Sequence, residues 1–212
     1  MANKTQRKYI WLSLIVIISV LIIDQTSKFI VKTNMFLGET IDVCSWFKIL
    51  FIENNGMAFG MELGSKLFLT IFRIVAITLI GYYIYKLIKK NDKLKKGYLI
   101  SISLIFAGAL GNIIDCLFYG VIFNAPRFPE IATLFPAEGG YADFMYGRVV
   151  DMLYFPLFSF VWPDWIPFVG GEYFEFFEPV FNIADSAITI GIALVLIFYR
   201  KSLSLEFSKE KE

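Results

Sequence analysis

Four aspartates of this chain stand among apolar residues, where a charged side chain is unexpected. Asp24, Asp115 and Asp185 each interrupt a long apolar run, and Asp151 lies in the apolar stretch 149–153. A carboxylate near the centre of a membrane-spanning helix costs roughly 3 kcal/mol to insert, so such residues are functional candidates. Two close carboxylates can share one proton, so that the ionised one activates water and the protonated one protonates a leaving group. The residue types therefore indicate acid–base hydrolysis by a pair of aspartates.

The composition excludes most other catalytic chemistries. The chain has no histidine, which excludes Ser-His-Asp and Cys-His catalysis and the HExxH type of zinc site. Its two cysteines, Cys44 and Cys116, are too few for a zinc cluster or a disulfide-stapled scaffold. A net charge of +1 argues against a nucleic-acid partner. Any catalysis must therefore use carboxylates, Ser/Thr, Lys or Tyr.

The elements that must position these residues are membrane helices. Of the 212 residues, 57% are hydrophobic and 18% are charged, compared with roughly 25% charged residues in soluble domains. Four apolar segments are long enough to cross a hydrocarbon core of about 30 Å; they cover residues 9–31, 67–88, 97–118 and 180–199. No small-residue cleavage site follows the first segment, so we expect an uncleaved helix. The sequence predicts an all-α integral membrane protein with a single membrane domain over residues 1–212.

Basic residues set the predicted orientation. Thirteen of the 20 lie in the N-terminal tail, in the 86–96 link and in the C-terminal tail, whereas the 119–179 segment has two basic residues against eight acids. Basic residues near the ends of spans favour the cytoplasmic side. We therefore expect both termini in the cytoplasm and outer loops at 32–66 and 119–179.

This orientation places the three membrane aspartates in one layer. At about 1.5 Å per helical residue, Asp24, Asp115 and Asp185 each lie within about 10 Å of the outer boundary, and Lys28 and Arg73 reach the same depth. An alternative is that these residues form interhelical contacts that only fix packing.

Helical spacing aligns further polar residues with these aspartates. Asp24 and Lys28 are i, i+4 and can pair; Gly108 and Asn112 share a face with Asp115; Asn182 precedes Asp185 by three residues. The polar residues of each helix therefore lie on one face, and that face can point into the bundle rather than to lipid.

The two outer segments differ from the spans. Residues 34–66 combine short apolar pieces with turn signals and predict short strands and a loop. Residues 158–177 are crowded with aromatic side chains, while prolines and glycines forbid a long helix. Such aromatics favour the headgroup region of a membrane, although a packed aromatic loop without lipid contact remains the alternative.

Five short blocks together resemble a known family, the lipoprotein signal peptidases, or bacterial signal peptidase II. In chain order they are DQTSK at 24–28, NNGMAFG at 54–60, GALGNIID at 108–115, GRVVD at 147–151 and FNIADS at 181–186. Each block alone is a weak signal. Their order, within the four-helix topology deduced from hydropathy and charge, makes the resemblance specific.

The resemblance implies an aspartic endopeptidase of the bacterial inner membrane with its site near the outer face. It would remove the signal peptide of prolipoproteins by cutting just before a diacylglyceryl-modified cysteine. Carried over by motif, the catalytic residues are Asp151 and Asp185; residues that bind substrate or support the site are Asp24, Lys28, Asn54, Gly56, Gly108, Asn112, Asp115 and Asn182. No metal or organic cofactor is implied. We expect a monomer whose partners are the diacylated prolipoprotein and membrane lipid, and which does not bind nucleic acid.

This sequence departs from the family pattern in two places. Cys116 stands where the family usually has an arginine beside Asp115. Because a buried carboxylate needs a partner, we expect Arg73 to pair with Asp115, or Arg148 to do so from the outer loop. The second departure is extra length at 119–147 and 156–180, so the resemblance does not predict the shape of the outer loop.

A different class of function uses the same aspartates. Asp24, Asp115 and Asp185 could relay protons in a small proton-coupled transporter. A relay needs titratable groups at successive depths, whereas these three share one depth, which disfavours transport. A non-enzymatic assembly factor is a third class, for which only the packing interpretation would hold.

Overall fold

The computed structural model describes residues 3–55, 66–90 and 94–208 of the chain. Its helices are α1 (Lys4–Asn34), α2 (Lys66–Lys90), α3 (Lys96–Ile114), α4 (Gly120–Ile122), α5 (Ile183–Phe198) and α6 (Arg200–Ser208). A π-helical turn, Asp115–Tyr119, joins α3 to α4 without a break. Asp115 thus begins an irregular turn of the kind often found at functional sites.

Three helical segments in the described part of the chain are long and apolar enough to cross a membrane, Lys4–Asn34, Lys66–Lys90 and Lys96–Ile122. They contain the first three predicted spans and extend beyond each of them at both ends. The fourth segment is shorter than predicted, because α5 has 16 residues and a length of about 24 Å. It begins only at Ile183 because the preceding residues pair with a strand, as the bridge between Phe181 and Leu153 shows.

Helix α3 packs against α1, α2 and α5. A Cβ at Gly108 would overlap the carbonyl oxygen of Ala184 and lie 2.8 Å from Ile188 Cγ1. A Cβ at Gly111 would lie 2.6 Å from Asp24 Oδ2. Glycine at these two positions therefore lets α3 approach both α5 and the polar residues of α1.

A three-stranded antiparallel sheet has β1 (Thr40–Cys44), β2 (Phe47–Asn54) and β3 (Val149–Tyr154) in spatial order. Its strand β3 contacts α1 and the π-helical turn that follows α3. The first two strands confirm the β structure predicted within 34–66. Strand β3 was not predicted. Its first four residues are all buried, so the sequence there lacks the alternation that identifies a strand with one exposed face.

The aromatic segment forms a second, two-stranded sheet. Strands β4 (Phe158–Val161) and β5 (Tyr173–Phe176) pair antiparallel. We call residues 158–176 the aromatic hairpin. Its aromatic side chains are largely exposed; Trp165 is 80% exposed and Phe168 is fully exposed. The predicted absence of a long helix in this segment is confirmed.

Candidate active site

Asn182 connects the two aspartates that the family resemblance selects. Its Nδ2 donates to Asp151 Oδ1 at 2.7 Å, and its backbone N–H donates to Asp185 Oδ2 at 3.3 Å. Asn112 Nδ2 donates to the other oxygen of Asp185 at 2.7 Å. One buried asparagine thus holds both carboxylates, which come from separate elements, β3 and α5.

The start of α5 explains the position of Asp185. Asn182 is the N-cap, and its Oδ1 accepts a hydrogen bond from Asp185 N at 2.9 Å. Together with the bond from Asn182 N to the Asp185 carboxylate, this forms a capping box. Asp185 therefore lies in the first turn of α5, where the helix dipole favours a negative charge.

Strand β3 positions Asp151. Asp151 pairs with Ile52 of β2, and Asn54 lies two residues farther along β2, on the same face of the sheet. The backbone bonds between Leu153 and Phe181, 2.7 and 3.1 Å long, hold β3 against the residue that precedes the N-cap of α5. The sheet and the helix bundle are therefore joined at the point where the two aspartates meet.

The environment of Asp151 favours a protonated carboxyl. Its exposed fraction is 2%. Burial raises the pKa of the Asp151 carboxyl to about 7, and the charge of Asp185 adds to the increase. Hydrogen bonds from Asn54 and Asn182 and the charge of Lys28 oppose the increase without cancelling it. Asp185 is only half-buried, so the two carboxyls of the pair lie in different surroundings.

Lys28 is the centre of a buried ionic cluster next to the Asp151–Asp185 pair. Its Nζ lies 3.0 Å from Asp24 Oδ2 and 2.8 Å from Asp115 Oδ2, and all three side chains are fully buried. It also donates to Asn112 Oδ1 at 2.9 Å. Because Asn112 in turn bonds Asp185, the cluster connects to the aspartate pair. These contacts bring Asp24, Asp115 and Asp185 close together in the bundle, whereas their depth below the outer membrane boundary stays a prediction.

The two carboxylates of the cluster also bind backbone groups of other elements. Asp24 Oδ1 accepts from Ala184 N in α5 at 2.9 Å, and Asp115 Oδ2 accepts from Val150 N in β3 at 3.3 Å. The cluster therefore fixes both chain segments that carry the aspartate pair.

Gln25 completes this cluster, although it was not among the predicted site residues. Its Nε2 lies within hydrogen-bond distance of Asp24 Oδ2 at 3.0 Å, Asp115 Oδ1 at 2.9 Å and Gly111 O at 3.1 Å. Gln25 lies within the DQTSK block at 24–28, and this position could have identified it as a site residue.

Nearly all predicted site residues meet in this region. Asn54, Asn112, Asp151, Asn182 and Asp185 form the pair and its hydrogen-bond partners. The neighbouring ionic cluster consists of Asp24, Lys28 and Asp115. Gly108 allows α3 to pack closely against α5. Gly56 lies outside the described residues.

The prediction about the cation beside Asp115 is wrong. Lys28, not Arg73 or Arg148, pairs with Asp115. Arg73 Nη1 donates to Cys116 Sγ at 3.3 Å, and Arg148 pairs with Glu53 at 3.2 Å. Lys28 serves both Asp24 and Asp115 because α1 and α3 pack with these side chains in contact, which the i, i+4 spacing alone did not reveal.

The sequence matches the family described as signal peptidase (SPase) II over residues 16–200. A lipoprotein signal peptidase of Porphyromonas gingivalis is 52% identical over 195 residues, which cover 92% of this chain and 85% of that protein. Lipoprotein signal peptidases of Amoebophilus asiaticus and Staphylococcus aureus are 38% and 31% identical, over 95% and 98% of this chain and 83% and 98% of their own lengths.

Two solved structures are similar to the fold. One is described as a bacterial membrane enzyme determined by the in meso method at 1.9 Å resolution. It has a TM-score of 0.56 and 29% identity, and the match covers 87% of this chain and 90% of that one. The second, from the same method at 2.3 Å, has a TM-score of 0.57 and 28% identity, with 91% and 89% covered.

Proposed function

Because this chain belongs to the signal peptidase II family, we propose that Asp151 and Asp185 form the catalytic pair of an aspartic endopeptidase. The chain is a peptidase that cleaves lipoprotein signal peptides, like the relatives to which it is similar. The observation that carries the residue assignment is Asn182, which hydrogen-bonds both carboxylates. The substrate we propose is a prolipoprotein already modified with diacylglycerol, cut just before the lipidated cysteine.

The unequal surroundings of the two aspartates give each a role. Asp151 is buried and has a pKa raised to about 7, so at neutral pH it can hold the shared proton. Asp185 lies at the positive end of α5 and accepts hydrogen bonds on both oxygens, so we assign it the role of the base. A water bound between them then has a base on one side and an acid on the other.

Hydrolysis follows from this arrangement. Asp185 takes a proton from the water as the oxygen bonds to the scissile carbonyl carbon. Asp151 gives its proton to the amide nitrogen as the C–N bond breaks, which releases a carboxylic acid on the signal peptide and an amine on the lipidated cysteine. The new carboxylic acid then loses its proton to the released amine or to water. Asp185 then holds the proton, and transfer back to Asp151 restores the starting state.

Of the two roles that the resemblance implies for Asn112, substrate binding or support of the site, its contacts favour support. Its Oδ1 accepts from Lys28 and its Nδ2 donates to Asp185. Both ends of the amide are thus engaged, so we assign Asn112 to orienting the carboxylate of Asp185.

We further propose that the chain is one monomeric membrane domain with four spans in the bacterial inner membrane. Both termini are cytoplasmic, and the aspartate pair lies near the outer face. Although α5 is short, exposed apolar side chains cover its surface, including Ile190, Leu196, Ile197 and Phe198, as expected for a helix in lipid. A site at the membrane boundary lets the acyl chains of the substrate remain in lipid while the peptide enters.

The aromatic hairpin supplies a lipid contact in this arrangement. It directly precedes α5, whose first turn carries Asp185, so it lies at the same end of the bundle as the site. We propose that its exposed aromatic side chains lie in the headgroup region of the outer leaflet, where such residues are favoured.

The transporter alternative is weaker in this geometry. Lys28 joins Asp24 and Asp115 in a single buried cluster, and Asn112 connects that cluster to Asp185. These carboxylates thus form one layer rather than a path through the bundle.

The function is tested with purified protein and a synthetic prolipoprotein peptide in its diacylated and unmodified forms. Mass spectrometry should show a product that begins at the lipidated cysteine, and only from the diacylated peptide. Equal cleavage of both forms would contradict the proposed substrate, and no cleavage of either would contradict the activity.

A further inference from the structure

A groove with a cavity volume of about 530 Å³ opens near the N-terminus of α1, at the opposite end of that helix from Asp24. Lys8, which lines it, precedes Asp24 by 16 residues, or about 24 Å along the helix. The groove lies between the first turns of α1 and the start of α3, which contributes Lys96. It is therefore separate from the aspartate site.

The charged side chains that line the groove are all positive. Lys4, Arg7, Lys8 and Lys96 line it, and none of the described lining residues is acidic. Neither α1 nor α3 has an acidic residue in its first turn. Cations at a helix N-terminus are unfavourable because that end already carries a partial positive charge. Two such termini meeting here give the groove a charge that an anion would complement.

The groove is also lined by exposed apolar side chains. Trp11, Leu12 and Ile15 follow the cations along one side of α1, and Trp11 and Ile15 are 65% and 60% exposed. From Lys4 to Ile15 the helix rises by about 16 Å. The order of cations, then tryptophan, then aliphatic side chains matches the order of phosphate, glycerol and acyl chain in a phospholipid.

The groove is held in shape by contacts on its protein side. Asn3 and Gln6 form a capping box that starts α1 at Lys4. Buried Tyr9 donates from its hydroxyl to Leu94 O at 2.9 Å, and Gln6 Nε2 donates to Lys89 O at 3.2 Å. These bonds tie the start of α1 to the end of α2 and to the segment just before α3. The cations are thus presented on an ordered surface rather than on a frayed terminus.

We propose that this groove binds one anionic phospholipid, with the phosphate between the four cations and an acyl chain along Trp11 and Ile15. In the proposed orientation the lipid belongs to the cytoplasmic leaflet. Basic pockets between membrane helices on that side are known to bind anionic headgroups. The binding itself depends neither on the orientation nor on the peptidase function.

The test is native mass spectrometry of the detergent-solubilised protein titrated with phosphatidylglycerol or with phosphatidylcholine of the same acyl chains. One phosphatidylglycerol should bind at least about fivefold more tightly, the effect of roughly one surface charge. Equal affinity for the two lipids would overturn the proposal. Displacement of the lipid by millimolar inorganic phosphate would show a simple anion site and would overturn it too.

Matched variants separate the groove from bulk charge. The double variant Arg7→Gln, Lys8→Gln should lose the preference for phosphatidylglycerol. Arg200→Gln, Lys201→Gln removes the same charge from exposed positions that do not line the groove, and it should retain the preference. Equal loss in both would contradict a specific site. Peptide cleavage by each variant reports whether it has folded; if the first pair fails, Lys4→Gln, Lys96→Gln provides the same comparison.

Discussion

Replacing Asp151 by asparagine should stabilise the protein at neutral and alkaline pH while removing its activity. The folded protein raises the pKa of this carboxyl from 3.8 to about 7, so it binds the proton more tightly than the unfolded chain does. This carboxyl therefore stabilises the fold fully below about pH 4, and the stabilisation is lost as pH rises through about 7. An asparagine side chain at this position cannot ionise, so the variant avoids the cost of a buried carboxylate.

The size of this effect follows from the difference between the two pKa values. About three pH units at about 1.36 kcal/mol each correspond to about 4 kcal/mol, an upper limit because the site can relax. The free energy of unfolding is measured by denaturant titration in detergent at about pH 4.5, 6 and 8, on both sides of the shifted pKa. The advantage of Asp151→Asn over the wild type should grow across this range, whereas the exposed control Asp143→Asn should show no such trend. A difference that does not change with pH, or that shrinks as pH rises, would refute the reasoning.

Three further predictions concern topology, packing and lipid contact. Cysteines placed singly in the 86–96 link of a cysteine-free variant should not react with an impermeant thiol reagent added to intact cells; labelling would reverse the orientation. Gly108→Ala should lower activity and destabilise the fold by about 1–3 kcal/mol, the usual cost of overpacking, because its Cβ would meet the backbone of α5. Gly81→Ala should be tolerated, since its Cβ would meet only a phenylalanine ring at 3.1 Å; equal effects would argue against the packing account. A spin label at Phe168 in liposomes should be less accessible to a water-soluble relaxation agent than one at Asp143, and equal accessibility would place the aromatic hairpin in water.

Local patterns in the sequence predicted a large part of the site. The i, i+4 spacing of Asp24 and Lys28 and the i, i+3 spacing of Asn182 and Asp185 both correspond to real contacts. These patterns are visible because helix geometry fixes which neighbours along the chain meet. Hydropathy likewise located the three long helices, since membrane-spanning length is a property of one continuous segment.

Contacts between distant segments could not be predicted in the same way. Strand β3 pairs with β2 although the two lie far apart in the chain, as in Glu53 with Val150, and neither strand carries a signal that identifies its partner. The partner of Asp115 was misassigned for the same reason. Arg73 was a candidate partner because its predicted depth in the membrane matched that of Asp115. In the packed bundle, however, the side chain of Lys28 contacts Asp115.

The most direct test of the catalytic pair is turnover of a diacylated prolipoprotein peptide by purified Asp151→Asn and Asp185→Asn. Each variant keeps the shape of the side chain but cannot exchange a proton. We expect each variant to lose several orders of magnitude in kcat, of the size expected for loss of an acid or base, while Asp143→Asn retains nearly full activity. Substantial turnover by either variant of the pair, in protein shown to be folded, would contradict the two-aspartate mechanism.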